Sequence, residues 1–197
     1  MAFNWNFRTA GIPDENFSSD NSPITKEEIR VLALSKLRLK EDSNILDIGA
    51  GTGSISIEAA LISNKGLVYS IEMKKERIGT IEKNVNYFGI KNITIIQGVA
   101  PDSLSTVPSI DRALIGGSGG KLNEIFDWLH LNLKSEGRLV ILAITLETLS
   151  QSLELIRNGD YEDIEICHVF VSKGKNIGKL TMMESRNPIF IISATRK

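Results

Sequence analysis

The chain has 197 residues, 42% of them hydrophobic, which suits one domain (1–197) with a sizeable core and leaves no room for a second. A formal net charge of -1 removes any global electrostatic reason to bind nucleic acid or an anionic membrane surface. The one cysteine, Cys167, cannot form an internal disulfide, no apolar run reaches the roughly 18 residues of a membrane span, and MAFNWNFRTAG lacks a signal-peptide core, so a cytoplasmic protein is expected.

In chain order, residues 1–24 read as an arm or lid. PITKEEIRVLALSKLRL follows as a helix, with Thr25 as its cap, Glu28 completing a capping box, and Ile29, Leu32, Ala33 and Leu37 on its apolar stripe. Short strands rich in Ile, Val and Leu then alternate with helices, the pattern of a parallel sheet covered on both faces. Strands are expected at 44–48, 67–71, 93–97, 113–115, 138–143, 163–171 and 189–195, and helices near 54–63, 75–88, 121–133 and 146–158. Gly89 stands where a left-handed helix end is expected. A polar, glycine-containing stretch without a convincing helix joins the last two strands, which predicts an antiparallel hairpin at one sheet edge.

DIGAGTGS, residues 47–54, comes straight after the first strand. Glycines at 49, 51 and 53 let the backbone approach a ligand and bring N–H groups and a helix N-terminus up to it, although a lone G-x-G is often only tight strand-to-helix packing. Two acids strengthen the ligand reading. Asp47 ends the first strand, and Glu72 closes the second, where a carboxylate can accept hydrogen bonds from both hydroxyls of a ribose. Ser54 replaces the third glycine or alanine of a dinucleotide loop, and no lysine follows Gly53 as in an ATP-type loop. An adenosyl compound without phosphates fits best.

With D-x-G-x-G-x-G after strand one, an acid ending strand two and Gly98-Val99-Ala100 after strand three, residues 26–197 resemble the seven-stranded class I S-adenosylmethionine-dependent methyltransferases. The resemblance implies an α/β, Rossmann-like fold, a mostly parallel sheet with an antiparallel C-terminal hairpin. It assigns the cofactor's amino-acid part to Gly49, Ala50, Gly51, Thr52 and Gly53, its ribose to Glu72 and its adenine to Ala100. GIPDENF (11–17), PITKEEIR (23–30), IGGSGG (115–120) and TMMESRNP (181–188) narrow this. Singly they read as a turn, a cap, a flexible loop and core filler. Jointly and in this order they resemble the decarboxylating precorrin methyltransferases of cobalamin biosynthesis. That implies methylation of carbon 15 of precorrin-6B, or its cobalt form, with loss of carbon dioxide from the ring C acetate. It adds Thr25 as a cofactor contact and implies self-association, a tetramer among the options. A unit without a second methylase domain fits the early-cobalt branch. Val99, where many relatives carry an acid, weakens any polar adenine contact from that side chain.

The reaction asks for positioning and water exclusion, since the tetrapyrrole can accept the electrons of decarboxylation, and no catalytic residue is singled out. His130 and His168 read as structural and Cys167 as core, with no metal-ligand cluster. Gly116, Gly117, Ser118 and Gly119 are the substrate candidates, because strand C-terminal ends face the ligand crevice. Arg8, Lys26, Arg30, Arg186 and the Lys173-Gly174-Lys175 turn are candidates for meeting substrate carboxylates, or are solvated surface charges. Trp5 and Phe7 are candidates for stacking on the macrocycle, and Asp111 stays open between a sheet-edge cap and a pocket acid. Rival readings are a class I methyltransferase for RNA, protein or another small molecule, and a cofactor-binding subunit without turnover.

Overall fold

The strands Ile45–Ile48 and Val68–Glu72 are buried at every position, so their sheet needs a helical layer on each face. The computed structural model, which describes residues 3, 5–7, 9–20 and 22–197, has that arrangement. Its strands are β1 (Ile45–Ile48), β2 (Val68–Glu72), β3 (Ile93–Gln97), β4 (Ile110–Ile115), β5 (Leu133–Ala143), β6 (Tyr161–Val169), β7 (Ser172–Ile177), β8 (Leu180–Ser185) and β9 (Ile189–Arg196). Its helices are α1 (Glu27–Leu37), α2 (Ser54–Ile62), α3 (Lys75–Tyr87), α4 (Leu122–Asn132) and α5 (Leu146–Asn158). Seven strands form one sheet in the order β3-β2-β1-β4-β5-β9-β6; β1 to β5 pair in parallel, and β9 runs antiparallel between β5 and β6. All seven expected strands lie in it, and Gly89 has its left-handed φ of 65°.

Alternation along the strands splits the core in two. Leu46 and Ile48 point with Ala113 and Ile141 towards Leu122, Ile125 and Leu129 of α4 and Ile156 of α5. Ile45, Leu114 and Val140 point the other way, towards Ala33, Leu34 and Leu37 of α1 and Ile57 and Ala60 of α2. Each fully buried aliphatic side chain contributes about 1.5–3 kcal/mol.

β5 begins at Leu133 rather than at 138, and four further features differ from the sequence reading. β4 begins at Ile110, because Arg112 sits within the strand and gives its guanidinium to the Arg38 carbonyl at the end of α1 (3.1 and 3.2 Å). β7 and β8 form a separate two-stranded ribbon in the stretch read as polar and without a convincing helix, and Lys173-Gly174-Lys175 lies in β7 rather than in a turn. Met182 and Met183, read singly as core filler, are 49% and 62% exposed on that ribbon. The first residue before α1 is Lys26, without a side-chain cap, so Thr25 and Glu28 form no capping box. Asp14 Oδ1 does the work instead, accepting the Glu27 N–H at 3.0 Å across thirteen residues of chain.

That contact belongs to a clasp that holds the N-terminal segment. Arg30 is fully buried; its Nε donates to Glu58 Oε1 (2.8 Å), its Nη1 to Asp14 Oδ1 (2.6 Å) and the Thr25 carbonyl (2.5 Å), and its Nη2 to the Ile12 carbonyl. Glu58 also accepts the N–H groups of Gly11 and Ile12. Ile12 and Phe17 are core residues, the Phe17 ring lying 4.9 Å from that of Phe88. Arg30 is thus a buried, fully paired ion, not a cation presented to a ligand.

Candidate active site

The C-terminal ends of β1, β2, β3 and β4 converge, as they must in a parallel sheet, and a cleft of about 440 Å³ opens there. Gly49, Ala50 and Gly51 of the β1 loop form its floor, with Asp47 beneath. Glu72 and Met73 line it from β2, Gly98, Val99 and Ala100 from β3, and Gly116, Gly117, Ser118 and Gly119 from β4. Pro23, Ile24, Thr25 and Lys26 close one side, held there by the Arg30 clasp through the Thr25 carbonyl.

The glycines matter for the side chains they lack. Gly49 has φ 79°, and a Cβ on it would stand 2.8 Å from both the backbone N and the backbone O of Gly117, so the two loops touch main chain to main chain. Gly51 has φ 61° and faces the Pro23 carbonyl, 3.5 Å from where a Cβ would be. The expectation that this loop offers free N–H groups is overturned. The amides of Gly49 and Ala50 both donate to the Ile71 carbonyl, that of Gly53 donates to the Ala50 carbonyl, and that of Gly51 donates to Glu72 Oε2 at 2.9 Å. In the second loop the Gly116 and Gly117 amides both donate to the Ile48 carbonyl.

Glu72 is 2% exposed and pinned at both oxygens, by Gly51 N–H and, at 2.9 Å, by Lys74 N–H. Each carboxylate oxygen keeps a further lone pair for a ligand hydroxyl, so the anchoring orients the group without using it up. Asp47 is 2% exposed and accepts from Ser56 Oγ at 2.5 Å, while Ser56 in turn accepts from Ser70. Burial in this apolar floor raises its carboxyl to about 6, against the opposing effect of the Ser56 hydrogen bond and with a smaller push from Glu72. Burial without a cationic partner thus disfavours the charged form of Asp47.

The other expected residues fall as follows. Thr52 is buried below the loop, its carbonyl taken by Asn84 Nδ2, and Gly53 is packed on Ile81 at the start of α2; neither lines the cleft. Lys26 and Arg186 line it, whereas Lys173 pairs with Glu28 at 2.5 Å and Lys175 with Glu184 at 3.8 Å, and Arg8 lies outside the described residues. Trp5 and Phe7 border a separate hollow with Leu61, Ile62 and Asn64 at the far end of α2. Asp111 does not line the cleft; within the central strand β4 it caps the start of β1, accepting Asn44 N–H at 2.8 Å, and pairs with Lys134. Neither histidine lines the cleft; His168 is a surface side chain stacked 3.8 Å from Phe190. Lys74, Arg77, Ile144, Val171 and Pro188 line it without having been singled out; a lysine or isoleucine at an element's end carries no sequence signal of its own.

This strand order, with its glycine loop after β1 and its acid at the end of β2, defines the class I methyltransferase fold. The family model for the precorrin methyltransferase domain matches residues 15–196, and the chain belongs to that family. The chain is 44% identical to the probable cobalt-precorrin-6B C(15)-methyltransferase (decarboxylating) of Saccharolobus solfataricus, over 98% of each chain. Among solved structures, the precorrin-6y C5,15-methyltransferase of Geobacter metallireducens GS-15 superposes with a TM-score of 0.90 at 41% identity, covering 95% of this chain and 98% of that one. The precorrin 8W decarboxylase of Methanobacterium thermoautotrophicum gives a TM-score of 0.86 at 35% identity, with 92% and 98% covered.

Proposed function

We propose that this chain methylates carbon 15 of precorrin-6B or its cobalt form, with loss of carbon dioxide from the ring C acetate, in cobalamin biosynthesis. The observation that carries this reading is the contact of Gly49 with Gly117: it joins a cradle for an adenosyl ligand to a side-chain-free wall in one cleft. The names of the full-length relatives support the substrate.

S-adenosylmethionine, when bound, supplies a methyl group on a sulfonium. The residues present fit it. Glu72 takes the ribose hydroxyls, Val99 and Ala100 offer an apolar seat for the adenine, Thr25 closes over it, and Gly49–Gly51 leave room for the amino-acid part, whose ammonium Asp47 neutralises. The chain's task beyond that is to align the tetrapyrrole carbon with the methyl and keep water away, which supplies several kcal/mol without an acid or base. When the bond to the carboxylate breaks, its electron pair passes into the tetrapyrrole's own conjugated system and carbon dioxide leaves. Self-association completes the reading: Ile177, Leu180, Met182 and Met183 are 49–77% exposed on the β7–β8 ribbon, and a second copy covering them removes that apolar surface from water. Action without nucleic acid accords with the charge balance, and action in the cytoplasm with the single cysteine.

The test is incubation with cobalt-precorrin-6B and methyl-labelled S-adenosylmethionine, followed by mass analysis. One methyl gained and one carbon dioxide lost are expected; cofactor binding without release of S-adenosylhomocysteine would make the chain a binding subunit.

Asp47 gives a pH signature. Its carboxyl, raised to about 6, binds a proton in the folded chain at pH values where the unfolded chain has released it. Stability without ligand therefore falls as pH rises from about 4 to 6. A cationic ligand needs the ionised form, so affinity for S-adenosylmethionine is expected to move the opposite way, weakening about tenfold between pH 7 and pH 5. Titration calorimetry on the wild type and Asp47→Asn checks this; an equally steep pH dependence in the variant would assign it to another group.

A further inference from the structure

The part of the cleft that the adenosyl ligand leaves over has its own composition. It lies over β5, β6 and β9, where Ile144, Val171, Pro188 and Ile189 line it, and Ile144 is 70% exposed although it follows directly on the fully buried Ala143. The register that sets Ala143 opposite Phe190 brings Ile144 level with Ile189, so these side chains make an apolar ledge at the sheet's end. Arg186 lines the same part and has no carboxylate within 4.0 Å among the described residues. Its backbone is fixed, because the Arg186 N–H donates to the Val171 carbonyl at 2.8 Å where the β7–β8 ribbon leaves the sheet, next to the Ser172–Ser185 pair closed by a 3.0 Å hydroxyl contact. An isoleucine exposed beside Ile189 and an arginine with no protein carboxylate against it, both lining one cleft, match a ligand that is flat and apolar on its face and anionic at its edge.

Resting on the function proposed above, we infer that the Ile144–Ile189 ledge takes one face of the tetrapyrrole and that Arg186 recognises a carboxylate on its periphery, making Arg186 a specificity-determining residue. Ring burial on the ledge sets the depth of the macrocycle, and the guanidinium, with its planar fork, sets its rotation about the ring normal. Rotation is what decides which ring carbon meets the methyl group beside Gly117.

The test uses the full chain and two ligands, cobalt-precorrin-6B for turnover and a polycarboxylic porphyrin as a fluorescent, unreactive binding probe. Arg186→Gln is expected to raise the KM for cobalt-precorrin-6B about tenfold or more and to weaken the porphyrin by a similar factor. Arg186→Lys should recover part of both, and Ile144→Asn should weaken porphyrin binding. The Kd for S-adenosylhomocysteine should stay within about twofold in all three variants, which separates lost recognition from lost folding. Unchanged KM and porphyrin affinity in Arg186→Gln would overturn the assignment, as would a wild type that binds no tetrapyrrole at all. A wild type that binds porphyrin through Arg186 but does not turn over cobalt-precorrin-6B would keep the ledge and refute the proposed reaction.

Discussion

Gly117→Leu is expected to lower turnover of cobalt-precorrin-6B by about a hundredfold or more while the protein stays folded and binds S-adenosylmethionine with near-normal affinity. A Cβ on Gly117 would meet nothing within 4 Å, and its φ lies outside the left-handed region, so the backbone accepts leucine without strain. Gly117 lines the cleft between the proposed adenosyl cradle and the ledge, so the new side chain is expected to occupy space there. The same loop contains contrasting positions. Gly119 and Gly120 have φ 59° and 85°, and Gly116 leaves only 3.3 Å to the Gly49 carbonyl, so substitutions there test the turn rather than the ligand. Were glycine needed at 117 only for that turn, Gly117→Leu would show a lowered melting temperature and a residual folded fraction of normal activity. A fully folded variant turning over at the wild-type rate would remove the loop from the site.

Gly51→Val is expected to weaken S-adenosylmethionine by at least about a hundredfold, close to 2.7 kcal/mol. Two costs combine. Valine resists the left-handed φ of 61°, a strain of roughly 1–2 kcal/mol or more for a β-branched residue, and its side chain is expected to narrow the cleft between Gly51 and the Pro23 carbonyl, both of which line it. Any shift of the backbone at 51 also pulls on Glu72, whose Oε2 accepts the Gly51 N–H, so the proposed ribose contact is expected to weaken with the floor. The strain lowers the melting temperature by several degrees without unfolding the chain. Calorimetry showing unchanged affinity in the variant would reject the glycine loop as the cofactor site.

Much of the molecule was legible before its folding was known. Strands buried on both faces must be apolar nearly throughout, so Ile45–Ile48 and Val68–Glu72 stand out, and a glycine loop between strand and helix marks the C-terminal end where a parallel sheet binds. Glu72 was legible for the same reason, as the acid ending the second strand. These are local signals, because a strand's burial and a loop's conformational needs are written in adjacent residues.

The tertiary structure decided everything that depends on a partner distant in sequence. Arg30 reads as a surface cation until Glu58, twenty-eight residues away, and Asp14, sixteen residues away, surround it. The glycine-loop amides read as free until β2 supplies the Ile71 carbonyl and the Glu72 carboxylate that consume them. The β7–β8 ribbon has no signal in the sequence, because its residues are exposed nearly throughout and show no burial period. Arg186 is one of several candidate cations in the sequence and Ile144 an ordinary isoleucine; that they line one cleft with Ile189 is decided only once β5 and β9 pair. A hydrogen-bond partner and a solvent exposure are properties of packed neighbours, and the chain chooses those neighbours only by folding.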